Sequence, residues 1–255
     1  MHCNISEQGE KMDRSILLDA LISWFFTLLI LPLTLFLLIQ NFGLEFIKRD
    51  YVKLSLEFVF IGMLPLLIVF LRGENWKDYG FTLVNWKSSI GYGLISAAPF
   101  MLIRIYAFLF LGYVGWSWSL TPLMFLAFLP VYGPLEAFFI VFSVYKIDKA
   151  PSCKRLISNG LLLTSLLFGL MHTANYFFHP DINLILINYV LLNIIPALFV
   201  GLTFKKSNSI IGSSLIWVLL NFSKVSTIKI YSLKRNDAQK RFQLFARKRS
   251  NYYIL

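Results

Sequence analysis

Arg104, Glu136, His172, Asn188, Asn193 and Asn221 are polar side chains set deep in apolar runs. Glu136 lies within an uninterrupted apolar stretch spanning about 120–145. A carboxylate at the centre of a membrane helix costs about 2.5–3.5 kcal/mol on insertion scales, so it needs a partner, a proton or a task. His172 closes the run Leu166-Leu167-Phe168-Gly169-Leu170-Met171-His172, where a histidine serves as a cap, an interfacial group or a ligand. Its neighbour His179 shares its helix face but stands roughly 10 Å along the axis, too far for one metal ion to take both. Trp217 and Asn221 are four apart and stack on one helix face. Asn188 and Asn193 read as interhelical hydrogen-bonding groups. Arg104 sits mid-helix at a depth within roughly 7 Å of Glu136 at 1.5 Å per residue. It is expected to pair with that carboxylate; the alternative is a guanidinium that snorkels outward or bonds a helix carbonyl.

The elements that must position these groups are apolar helices. Of 255 residues, 57% are hydrophobic and 15% charged, and the mean hydropathy is +0.67. A soluble domain carries about 25% charged residues. Seven apolar segments can be drawn, at 16–39, 54–71, 89–112, 120–144, 156–172, 182–204 and 210–222. The fold class expected is all-α, a polytopic transmembrane bundle of about 7–8 helices. The bundle occupies 16–222, preceded by an N-terminal segment at 1–15 and followed by a basic tail at 223–255. That tail holds nine Lys/Arg against the single acid Asp237 and carries +8 of the net +11. It suits anionic lipid headgroups and lacks a nucleic-acid reading motif, so no nucleic-acid partner is expected. Lys146, Lys149, Lys154 and Arg155 define a basic loop, with Lys205 and Lys206 in the next connection on the same side. The positive-inside rule then places both, and the N-terminus, in the cytoplasm. The localisation expected is the plasma membrane of a prokaryote. Asp19 and Glu57 fall near helix ends and are expected to reach water. The stretch 73–81, with Trp76 and Tyr79, suits a segment lying along the headgroups. Cys3 and Cys153 read as free thiols. The start of the chain reads as a first transmembrane helix rather than a cleaved signal peptide.

The order of these groups resembles the CPBP family of intramembrane proteases, also called the Abi or CAAX protease family. Its pattern is Glu-Glu-x-x-x-Arg, then Phe-x-x-x-His, then His-x-x-x-Asn on successive helices. Glu136-Ala137-Phe138-Phe139-Ile140-Val141 stands where the first belongs, Phe168-Gly169-Leu170-Met171-His172 matches the second, and Trp217-Val218-Leu219-Leu220-Asn221 stands where the third belongs. The likeness covers about 76–221. It implies that Glu136 activates water, with His172 and Asn221 completing a metal or oxyanion site, and it brings zinc, held by His172, as an implied cofactor. The sequence departs from the pattern at Ala137, Val141 and Trp217. The lost Glu and Arg would have stood four apart as an ion pair, and replacing both leaves no orphan charge. Indole has one donor and no lone pair for a metal.

Two functions follow as expectations. One is an intramembrane endopeptidase, metallo- or glutamate-type, acting on a membrane-associated protein or peptide. The other is a non-catalytic relative that holds a partner in the same cavity as a binding, chaperone or immunity protein.

Overall fold

In a computed structural model, the structure describes residues 14–47, 50–110, 129–149, 156–177 and 190–221. The side chains of Arg14, Asp50, Tyr51, Lys53, Arg104, residues 107–110, Tyr132 and residues 175–177 lie outside that description. Asn188, His179, both cysteines, the 1–13 segment and the basic tail also fall outside it. Among the described residues every regular element is helical.

Helix α1 (Arg14–Phe25) runs through a π turn (Phe26–Ile30) into α2 (Leu31–Phe42). After the short α3 (Leu44–Ile47) and α4 (Asp50–Glu57), a second π turn (Phe58–Met63) leads into α5 (Leu64–Leu71). A 3-10 turn (Trp76–Tyr79) precedes α6 (Trp86–Phe110). A third π turn (Val131–Leu135) opens α7 (Glu136–Lys149). Then come α8 (Asn159–Met171), a 3-10 turn (His172–Phe177), α9 (Leu192–Ser207) and α10 (Ile210–Asn221). Each π turn accompanies a proline, at Pro32, Pro65 and Pro134. Proline donates no N–H and its ring crowds the carbonyl four residues back, so the ladder widens there instead of breaking.

Among the described residues, two helical stretches are long and apolar enough to cross a membrane. They are Ser15–Phe42 and Leu54–Leu71, with mean hydropathies of 2.4 and 2.5. The second coincides with the segment expected from sequence. Leu21, Leu29, Leu37, Leu67 and Phe70 on these helices are exposed. Outward apolar surface on this scale points to membrane association.

The helix at the centre is α7. Ala137, Phe138, Phe139, Ile140, Val141 and Phe142 are all fully buried, so no face of it is left for solvent or lipid. A helix apolar all round must be enclosed, and α1, α5, α8 and α9 pack against it. The expected basic loop at Lys146 is corrected here. The helix continues to Lys149, and Lys146 is wholly buried. Its Nζ donates to Asp19 Oδ2 at 2.8 Å and to Glu74 Oε1 at 2.6 Å. Arg72 adds a bond to Asp19 Oδ1 at 2.9 Å. Asp19, expected in water, is 3% exposed for this reason. The turn expected along the headgroups is likewise packed in part. Tyr79 is buried, donates to Glu74 Oε2 and lies against Phe142. Burial, then the bond to and charge of Glu74, raise its hydroxyl well above the ordinary tyrosine value. Gly80 closes this turn in the left-handed region at φ 82°, and its carbonyl accepts from Ile210 N at 3.0 Å.

Near Lys146, Asp148 ties three helices. Its carboxylate accepts from Lys205 Nζ and Ser158 Oγ, both at 2.6 Å, and from Gly160 N at 3.0 Å. Across the bundle, α6 and α10 touch backbone to backbone. A Cβ on Gly212 would overlap the Ser89 carbonyl, and one on Gly93 would stand 2.7 Å from Gly212 O. Small residues at a crossing allow such approach in a membrane.

Two outcomes are expected in thermal unfolding of detergent-solubilised protein. Gly212→Ala forces α6 and α10 apart, an overpacking worth about 1–3 kcal/mol of destabilisation. Lys146→Met removes the ammonium shared by Asp19 and Glu74, leaving them only Arg72 and Tyr79 among the described residues, and costs up to about 3–5 kcal/mol; adding Asp19→Asn and Glu74→Gln recovers much of that loss.

Candidate functional site

Glu136 is the first residue of α7, immediately after the π turn that Pro134 imposes. It is 5% exposed. The last helix supplies its partners. Trp217 Nε1 and Asn221 Nδ2 both donate to Glu136 Oε2, the second at 3.0 Å. The spacing of four on α10 puts the two donors on one face, one turn apart, so both reach a single oxygen.

Phe168 joins the third motif to the second. Its ring meets Trp217 edge-on, with centroids 5.1 Å apart at 79°, and meets His172 at 5.2 Å. Gly169 gives α8 its close seat beside α9, where a Cβ would stand 2.9 Å from Val190 O. His172 caps α8, and its Nδ1 bonds the Phe168 carbonyl at 2.8 Å. A carbonyl only accepts, so Nδ1 carries the proton. In the neutral ring, Nε2 is then the nitrogen with the lone pair.

The structure therefore brings together Glu136, Phe168, Trp217 and Asn221, with His172 against Phe168. Ala137 and Val141, the other departures, are fully buried in apolar clusters. The Arg104 side chain, and with it the expected pairing with Glu136, lies outside the described residues. Asn193 is buried in α9. Sequence reasoning missed Asp19, Glu74 and Lys146 as a buried group. The available signal was the acid at Asp19 inside the first apolar run.

The donor set decides what the site can hold. Glu136 and His172 are the strong ligand types present, whereas catalytic zinc takes three strong protein ligands plus water. The Trp217 nitrogen carries a hydrogen, and the Asn221 amide turns its nitrogen toward Glu136. Among the described residues no three His, Cys, Asp or Glu side chains gather in a way that could hold a metal ion. These residues do not fit zinc. What the site does offer is one buried carboxylate, two N–H donors aimed at one point, and an imidazole.

No protein-family model, curated protein or solved structure matches the chain.

Trp217→Phe keeps the edge contact with Phe168 and removes the indole donor. The expected cost is about 1–3 kcal/mol for a buried acceptor that loses a bond, read as a lower midpoint in thermal unfolding. Trp217→Phe combined with Glu136→Leu is expected to unfold closer to wild type than the single variant does.

Proposed function

We propose that this chain is a multi-pass membrane protein of the CPBP type and a glutamate-type intramembrane endopeptidase. The reading rests on one observation: Trp217 Nε1 and Asn221 Nδ2 converge on a single oxygen. Two N–H donors aimed at one oxygen position are what a tetrahedral oxyanion requires. Trp217 therefore keeps the donor part of the residue it replaces while giving up the lone pair. In the reaction, the scissile carbonyl oxygen takes the position between these donors that Glu136 Oε2 fills at rest. The released carboxylate takes a proton from water, and the hydroxide adds to the carbonyl carbon. The proton then passes to the leaving nitrogen as the C–N bond breaks. His172, with Nε2 unprotonated, orients the water or relays the proton. The substrate class is a membrane-associated protein or peptide. The bundle spans the membrane about 7–8 times with its N-terminus in the cytoplasm, in a prokaryotic plasma membrane. The basic tail lies on anionic headgroups.

A second reading has a specific observation in its favour. Glu136 is nearly inaccessible with both donors already on it, an arrangement that equally suits a non-catalytic protein. Such a protein would hold a membrane partner in this cavity, as a binding, chaperone or immunity protein.

The deciding assay incubates reconstituted protein with a peptide library that includes prenylated C-terminal peptides. Cleavage by wild type is expected, reduced at least 100-fold in kcat by Glu136→Gln. Trp217→Phe is expected to lower it by about 100- to 1000-fold, as for loss of one oxyanion donor. Activity should survive chelation. A wild type inert across the library supports the second reading, and stoichiometric zinc lost on His172→Ala would overturn the metal-free mechanism.

A further inference from the structure

Three buried polar atoms on three helices have no hydrogen-bond partner among the described residues: Trp24 Nε1 on α1, Ser143 Oγ on α7 and Thr164 Oγ1 on α8. Their residues are 3%, 0% and 0% exposed. Other buried helix hydroxyls have partners: Ser89 and Ser213 bond carbonyls outside their own helices and Thr203 pairs with Ser96. Ser23, Thr27, Ser165 and Ser207 each bond the carbonyl four residues back, at 2.8–3.1 Å. Ser143 and Thr164 do not take that bond, although each sits within a helix where it is on offer.

The three lie at one level of the bundle. On one side, Asp19 meets Lys146 and Trp24 meets Phe139 (centroids 4.6 Å apart), so α1 and α7 run antiparallel. On the other, Asp148 meets Gly160, and Phe168 meets the indole that bonds Glu136, so α7 and α8 also run antiparallel. Interpolating between these contacts sets Thr164 beside about residue 142 and Trp24 beside about residue 139. With Ser143 they fall within about one helical turn, ~5.4 Å. This level lies between the Lys146 ion network and Glu136, and Ser143 is two turns from Glu136 on the same face of α7.

Buried polar groups are paired in native proteins, with internal water where protein partners are lacking. We propose that Trp24, Ser143 and Thr164 hold an internal water cluster at the level where α1 and α8 both pack on α7, and that it supplies the water Glu136 activates. The second clause rests on the peptidase reading; the first does not.

The first test is a thermal double-mutant cycle on the full-length protein with Ser143→Ala and Thr164→Val. Waters shared by the two hydroxyls predict that each single variant lowers the midpoint and that the double lowers it no further than the larger single. Singles that leave the midpoint unchanged or raise it, or effects that add, overturn the cluster. A second measurement needs no variant. In radiolytic hydroxyl-radical footprinting of wild type, Trp24 is expected to oxidise at a rate approaching that of Trp86, which is 43% exposed. Protection of Trp24 in line with its burial overturns the cluster. For the supply role, both single variants should show about a 10-fold fall in kcat with KM unchanged, and wild-type kcat in both would overturn it. If wild type cleaves nothing, the peptidase reading and the supply role fall together, while the cycle and the footprint still decide the cluster.

Discussion

The burial of α7 is the constraint on which the rest of the bundle depends. Its middle is closed on every side, and it carries Glu136 at one end with Lys146 and Asp148 at the other. Ionised groups cannot be enclosed alone, so each neighbouring element must bring a specific partner. Asp19 comes from α1, Glu74 from the turn after α5, Lys205 from α9, and Trp217 and Asn221 from α10. These pairings act as an address system. Apolar helices in lipid have little hydrophobic reason to choose one neighbour over another, whereas a buried lysine tolerates only the arrangement that brings its carboxylates. A buried ion pair is weak evidence for net stability, and its better-attested use is fixing register.

The two ends of α7 solve the same problem differently. At Lys146 charge meets charge, and Asp19, Glu74 and Arg72 complete a compact network of both signs. At Glu136 two neutral N–H donors converge on one oxygen. Both of these donors are neutral N–H groups, in contrast to the ammonium at Lys146. The Lys146 end behaves as a fastening, whereas the Glu136 end has the makings of a site. About 15 Å of helix separates them at 1.5 Å per residue.

The all-α class was legible because apolar runs of this length leave few alternatives, and Leu54–Leu71 matches its expected bounds. The pairs Phe168/His172 and Trp217/Asn221 were legible because spacings of four survive folding, a residue one turn away staying on its face whatever the bundle does, whereas their association with Glu136 rested on the order of motifs alone. Lys146 was misplaced for an identifiable reason. A lysine just past an apolar run looks like a helix end, and what keeps it inside is Asp19, 127 positions earlier. No local pattern encodes that separation. The contact of Gly93 with Gly212 was invisible on the same grounds, since a glycine within a helix shows nothing of what approaches it. Prolines 32, 65 and 134 were plain in the sequence, but a proline alone does not say whether the helix breaks, kinks or widens.

Trp217 changes meaning once its partner is seen. In the sequence it is a lost ligand, because indole cannot coordinate a metal. In the fold its N–H points at the carboxylate that the first motif retained. Ala137 and Val141 fit the same account: a Glu and an Arg at those positions would have brought opposite charges into a helix face that is now fully buried and apolar. Trp217 and Asn221 of α10 both hydrogen-bond Glu136. Glu136 is thus one buried carboxylate facing two N–H donors from α10, while Ala137 and Val141 keep the adjoining turns of α7 apolar.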